Sequence, residues 1–273
     1  MKHVHKALLI LIFSLGGMQL LGAQENASPY NWFNSFDATR IAYSDEGTGP
    51  AVLLIHGFIM NGGHWEQTAL KKSLLEQGFR VIIPDLRGNG KSDRPEAEEA
   101  YKDDAEIKDL VALADHLGLD TFMAVGYSRG SIVLAKLLTR ETRISKAVLG
   151  GMGADFTNPD WDRRVAFADA FSGRREPDDL TRGAIDYAKS IGANLKILGH
   201  LQDHQPVTTL TALKGIHTET LVICGDRDRD NGSPEELQRA LPISQLILVP
   251  GDHNNTYKQE DFAVAVTGFL SGR

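Results

Sequence analysis

Ser128 sits in Gly126-Tyr127-Ser128-Arg129-Gly130, directly after the apolar run Thr121 to Val125 and directly before Ile132 to Leu138, whose apolar residues have helical spacing. That order predicts a strand, a tight turn and a helix. The flanking glycines leave room where the two backbones come close. The serine between them is then held on a sharp corner at the C-terminal edge of a sheet. There its hydroxyl is exposed beside N–H groups of the first helical turn, which can stabilise a developing negative charge. Such a hydroxyl is suited to attack, but near neutral pH it needs a base within hydrogen-bond reach and a third group that orients the base.

Nine histidines could supply the base. His3 and His5 fall in the N-terminal leader, and His64, His200, His204 and His217 fall in helical segments or in the stretch 154–218, where solvated or core roles are the default. His56 ends a strand on the wrong side of the turn for that work. His253 follows a late strand, Gln245 to Val249, and precedes the last helix, which places it at the same sheet edge as Ser128. The orienting acid should follow the strand before that one, Thr220 to Cys224, where Asp226, Asp228 and Asp230 compete. Asp252, adjacent to His253, is expected to stabilise its turn.

The elements that must position these residues follow from apolar patterning. Weak strands around Trp32 to Ser35 and Arg40 to Ser44 read as a hairpin. Ala51 to Ile55 is a continuous apolar run, as expected of a strand covered on both faces of a parallel sheet. Helix over His64 to Gly78, strand over Arg80 to Pro84, helix over Ala105 to Leu117, the Ser128 unit and a strand over Ser145 to Gly150 then alternate. This predicts a mostly parallel, doubly wound α/β sheet of about eight strands. From 154 to 218 the alternation stops, and Trp161 to Phe171, Leu180 to Ile191, Leu195 to Leu201 and Leu210 to Leu213 are all helix-like. An insert of this length before the last two strands is most simply a helical cap over the strand ends. The expected organisation is a signal peptide over 1–23, a core over 24–153 and 219–273, and a cap over 154–218.

The strand, Gly-x-Ser-x-Gly turn and helix around Ser128 resemble the nucleophile elbow of the α/β-hydrolase superfamily. His56-Gly57-Phe58 is similar to its oxyanion turn, which implies that the His56 ring braces the loop, and Asp85-Leu86-Arg87-Gly88-Asn89-Gly90-Lys91-Ser92 is similar to a loop that orders the surface beside the site. The resemblance implies a triad of Ser128, Asp228 and His253, since Gly225-Asp226-Arg227-Asp228 fits the superfamily's Gly-x-x-Asp pattern; some members place the acid after the strand that follows the nucleophile helix, which makes Asp155 a distant candidate. It also implies an oxyanion hole from the N–H groups of Phe58 and Arg129. No cofactor and no metal are implied. Epoxide hydrolases and haloalkane dehalogenases of this fold carry aspartate where this chain has Ser128.

A chain of 273 residues can bury one large core, and its net charge of −7 speaks against nucleic acid as a partner. Met1 to Lys6 is basic, Ala7 to Leu21 is apolar, and Ala23 ends a small-residue site, so export to the periplasm or beyond is expected, without stable membrane insertion after cleavage. A lone Cys224 cannot form an internal disulfide. The expected function is that of a serine hydrolase, carboxylesterase-like, acting on a small ester-like molecule. Two other functions remain open: a cofactor-free perhydrolase or haloperoxidase using the same triad, and a non-catalytic protein that captures a ligand.

Overall fold

Ala51 to Ile55 and Phe122 to Tyr127 are buried at every position, which makes them the central strands of a sheet covered on both faces. The computed structural model describes residues 30–272, so the expected leader over 1–23 lies outside the described residues. β1 (Asn31–Asn34) and β2 (Arg40–Glu46) form the expected hairpin and lead into β3 (Ala51–Ile55). α1 (Gly63–Glu66), α2 (Ala69–Glu76), β4 (Arg80–Pro84) and α3 (Ala105–His116) follow. Next come β5 (Phe122–Tyr127), α4 (Arg129–Leu137) and β6 (Ile144–Gly150).

Between β6 and β7 (Glu219–Gly225) the described chain is helical: α5 (Asp162–Phe171), α6 (Arg182–Ser190), α7 (Leu195–Asp203) and α8 (Leu210–Leu213). α9 (Pro234–Ala240), β8 (Ser244–Val249) and α10 (Glu260–Ser271) complete it. The expected fold class is the observed one: eight strands in the order β1-β2-β4-β3-β5-β6-β7-β8, parallel except at β1 and β2.

Two local expectations change. The single helix over His64 to Gly78 is two helices, because Thr68 takes extended backbone and caps α2, its Oγ1 accepting from Lys71 N–H at 3.3 Å. α9 was not expected; its start is written in Ser233-Pro234-Glu235-Glu236, with Ser233 Oγ accepting from Glu236 N–H at 3.1 Å and proline in the first turn.

Apolar faces of α3, α4 and α9 (Leu110, Ile132, Leu237) cover one side of the sheet. Those of α2 and α10 (Leu70, Leu74, Phe262, Val266) cover the other. A third cluster gathers Phe171, Ile185, Ile197 and Leu201 of the insert onto Ile59 and Tyr101. Strand register then decides where the chemistry can be. Ile55 pairs with Gly126, Tyr127 with Gly150, Gly150 with Ile223, and Gly225 with Val249. The residues that follow these pairs, including His56 to Phe58, Ser128, Asp228 and His253, therefore leave the sheet at one edge.

Candidate active site

Ser128 stands between β5 and α4 with φ 54° and ψ −126°, a conformation that non-glycine residues rarely adopt. The surroundings hold it there. A Cβ at Gly126 would come within 2.4 Å of Gly130 O, and one at Gly130 within 2.3 Å of Ile55 O, so glycine is required at both positions. Ser128 N–H donates to Gly150 O at 2.8 Å, and Ser131 Oγ, one turn into α4, bonds Gly126 O and Gly150 O at 2.9 and 2.8 Å.

The structure brings Ser128, His253 and Asp228 together. Ser128 Oγ lies 2.9 Å from His253 Nε2, and His253 Nδ1 lies 2.8 Å from Asp228 Oδ2. An Nδ1–H donated to Asp228 leaves the Nε2 lone pair facing the serine hydroxyl. His253 is fixed from below as well: its carbonyl accepts from Tyr127 OH at 2.8 Å, and the Tyr127 ring lies 5.7 Å from the imidazole. Burial, with Asp228 adding to it, pushes the Tyr127 hydroxyl far above its ordinary range, so it stays a donor.

The rival acids are elsewhere. Asp226 is half exposed and accepts from Gly251 N–H at 3.0 Å, bracing the His253 loop, and Asp230 and Asp155 are exposed. Asp252 accepts from Asn254 and Asn255 N–H at 2.9 and 3.2 Å, the turn-stabilising role expected of it. One neighbour carried no sequence signal. Asn231 Nδ2 lies 3.2 Å from His253 Nδ1 and donates to Gly151 O at 3.3 Å, standing beside the imidazole and carboxylate.

His56 is buried and braces its turn: Nε2 accepts from Leu86 N–H at 3.1 Å and Nδ1 donates to Gly57 O at 2.9 Å. Burial holds its pKa below the usual histidine value, in keeping with a neutral ring. No described group accepts the N–H of Phe58 or of Arg129, the first residue of α4. Ile59, next to Phe58, has φ 55°, unusual for a β-branched residue, and its side chain is pinned in the apolar cluster of the insert. The Arg129 side chain is bidentate to Glu106 at 2.8 and 2.6 Å and donates to Leu201 O at 2.9 Å, tying the elbow to α3 and α7.

A family model described as the alpha/beta hydrolase fold matches residues 50–193, more than half of the chain. The chain belongs to the α/β-hydrolase fold family. A non-heme chloroperoxidase of Synechocystis sp. is 31% identical over 77% of this chain and 87% of its own length. A bromoperoxidase from Bacillus anthracis is 27% identical with a TM-score of 0.70, covering 89% of this chain and 99% of that one. An esterase from Exiguobacterium antarcticum superposes with a TM-score of 0.72 at 23% identity, over 88% and 99% of the two chains.

Within this α/β-hydrolase the glycine-rich turn after β4 is scaffolding. Asp85 accepts from Gly62 and Lys91 N–H at 2.6 and 2.7 Å, and Ser92 Oγ donates to Asp85 O at 2.5 Å and accepts from Ala42 N–H at 2.8 Å. Cys224 is buried and its thiol pushed up to about 12 by burial, which leaves it inert. Trp65 packs beneath Tyr257 and lines neither chamber at the serine. Those two chambers meet at Ser128, Phe58, Arg163, Phe167 and His253. The larger one, about 560 Å³, is walled by His64, Tyr187 and Tyr257, and the smaller one, about 80 Å³, runs under α5 and α7.

Proposed function

We propose that this protein is a serine hydrolase that cleaves a carboxylic ester or a related acyl bond. The observation that supports it is the hydrogen-bond chain from Ser128 Oγ to His253 Nε2 (2.9 Å) and from His253 Nδ1 to Asp228 Oδ2 (2.8 Å). As Oγ attacks the acyl carbon, His253 Nε2 takes its proton. The carbonyl oxygen gains charge where the free N–H groups of Phe58 and Arg129 can receive it, each such donor lowering the barrier by roughly 3 kcal/mol. His253 then passes the proton to the leaving oxygen, the alcohol departs, and an ester to Ser128 remains. Water gives a proton to His253 and attacks that ester, Ser128 recovers its proton, and the acid is released.

The similarity to the Synechocystis sp. chloroperoxidase favours a second reading of the same site. Hydrogen peroxide in place of water at the second step would release a peracid, which oxidises halide to hypohalous acid and returns the carboxylic acid. The leader over residues 1–23 supports action outside the cytoplasm, which cell fractionation would test. The deciding experiment uses the purified protein, a short p-nitrophenyl ester and a fluorophosphonate probe. Turnover and labelling of Ser128, both lost in Ser128→Ala, are expected; an active Ser128→Ala variant would discard the mechanism. Peroxide-dependent halogenation faster than ester hydrolysis would move the assignment to the second reading. Neither activity together with no labelling would leave a ligand-binding protein.

A further inference from the structure

The smaller chamber beside Ser128 and His253 is cationic in a chain of net charge −7. Three arginines line it and no aspartate or glutamate does. Arg129 is already bound to Glu106, but Arg163 and Arg164, consecutive on α5, have no carboxylate within ion-pair distance among the described residues. Arg163 Cζ lies 4.9 Å from the Phe167 ring centroid and makes no hydrogen bond. Arg164 Nη2 donates to Gln205 O at 3.1 Å, while Nη1 is shut from water with no acceptor.

Charged donors in that state are costly, and a folded protein normally pairs them. Arg174, elsewhere on the insert, shows the usual outcome, since Asp203 and Asp169 close on it and hold its pKa up. Burial instead pulls Arg163 and Arg164 below the ordinary guanidinium value, and the positive charge of Arg129 adds to the effect at Arg164. Asp228 and Asp230 face Arg163 from the β7 turn, and Asp160 and Asp203 face Arg164, all without direct contact. The side-chain amides of Gln202 and Gln205, both buried on the chamber wall, also make no hydrogen bond to protein. Two guanidiniums without a carboxylate partner and two side-chain amides without a protein hydrogen bond therefore line one small space, where Gln205 O is the one acceptor described for either arginine side chain.

We propose that the smaller chamber is a carboxylate subsite: the short part of the substrate that enters it carries a carboxylate, held by Arg163 and Arg164 with the amides of Gln202 and Gln205. A guanidinium pair matches the planar, two-oxygen geometry of that group. The volume, about 80 Å³, admits a carboxylate on a chain of a few atoms, given that one water occupies about 30 Å³. The substrate class is thus a half-ester of a short dicarboxylic acid, or a short ester of a hydroxy acid. Turnover of such a compound rests on the ester-hydrolase reading; binding of the anion does not.

The test has two arms. In the first, Ser128→Ala protein is titrated calorimetrically with monomethyl succinate and with O-acetyl lactate, and each is compared with its uncharged methyl ester. Binding of at least one anion tenfold or more tighter than its neutral counterpart is expected, with the preference lost in Ser128→Ala/Arg164→Met and retained in Ser128→Ala/Arg164→Lys. Equal affinity of anion and neutral ester, or a preference that survives both Arg164→Met and Arg163→Met, overturns the proposal. In the second arm, the kcat/KM ratio of p-nitrophenyl hemisuccinate to p-nitrophenyl acetate, and of O-acetyl lactate to its methyl ester, is measured in protein with Ser128 intact. One ratio above ten, falling tenfold in Arg164→Met, is expected. Anion binding without turnover of any ester would sink the hydrolase reading and leave the subsite standing. Turnover with both ratios near one would do the reverse. Circular dichroism and Tm of each variant separate loss of binding from loss of fold.

Discussion

Arg87 in the turn after β4 is fully buried and Arg164 on α5 is half-buried with its Nη1 shut from water, yet they meet opposite fates. Arg87 is fully buried and gives Nε and Nη2 to the two oxygens of Asp109, both at 2.6 Å; its Nη1 goes to Asp37 at 2.9 Å and to Ala100 O. Arg164 makes one backbone hydrogen bond and leaves a donor idle. Carboxylates from the hairpin and from α3 close around the first, so it serves the scaffold. None closes around the second, and its desolvation stays uncompensated until something enters from outside. The same division runs through the site. At the sheet edge, Ser128, His253, Asp228 and His56 are engaged with one another or with backbone, and the idle groups there are the two N–H donors of Phe58 and Arg129. On the insert, the idle groups are side chains.

If the sheet edge carries the chemistry and the insert the selectivity, the largest losses must come from the edge. Ser128→Ala should lower kcat for a neutral short ester about a million-fold. Asp228→Asn should lower it about ten-thousand-fold, because the amide no longer holds the imidazole tautomer. Asp226→Asn should cost under tenfold, since Asp226 touches Gly251 N–H and not the imidazole. Steady-state kinetics on the three variants decide it, and an Asp226→Asn loss larger than that of Asp228→Asn would reassign the acid.

What the sequence discloses of this division is uneven, for physical reasons. Parallel strands buried on both faces leave apolar runs, so β3, β5, β6 and β7 can be placed to within two residues. The glycines around Ser128 mark a backbone conformation few other residues tolerate, and the last loop before α10 isolates His253. Spacing alone does not separate Asp228 from Asp226. Their difference lies in which carboxylate the turn after β7 aims at the imidazole, and only the Gly-x-x-Asp resemblance pointed to Asp228. Arg163 and Arg164 look like ordinary surface residues of a helix, because their isolation depends on how α5 lies across the sheet edge. Asn231 has no pattern to announce it. α9 did have one, in Ser233-Pro234, within a stretch otherwise dominated by the acidic turn.

The next effect is on stability and sharpens the contrast directly. Arg87→Met leaves Asp109 buried with its charge unpaired and should cost about 3–5 kcal/mol. Arg164→Met removes a cation that has no partner, so stability should change by under about 1 kcal/mol or rise. Urea unfolding of the two variants at pH 7.5 checks both. A large loss at Arg164 would make it a scaffold residue like Arg87 and remove the contrast.

The smallest effect concerns pH and belongs to the sheet edge alone. Burial depresses the pKa of folded His56 below its ordinary 6.5, while Asp85 and Glu106 nearby pull it upward and His64 downward. Below pH 6.5 the unfolded chain therefore binds a proton at this residue that the folded chain resists. Stability is complete above that value and falls as pH decreases, by up to about 1.4 kcal/mol per pH unit from this group. Charging the ring would also turn Nε2 into a donor facing Leu86 N–H, breaking a bond that sets the turn carrying Phe58. His56→Gln keeps an acceptor but cannot titrate. It should be less stable than the wild type at pH 7.5, yet lose less between pH 6.5 and 5.5. Equal slopes in urea unfolding across that window would assign the acid sensitivity to other groups, His64 first among them.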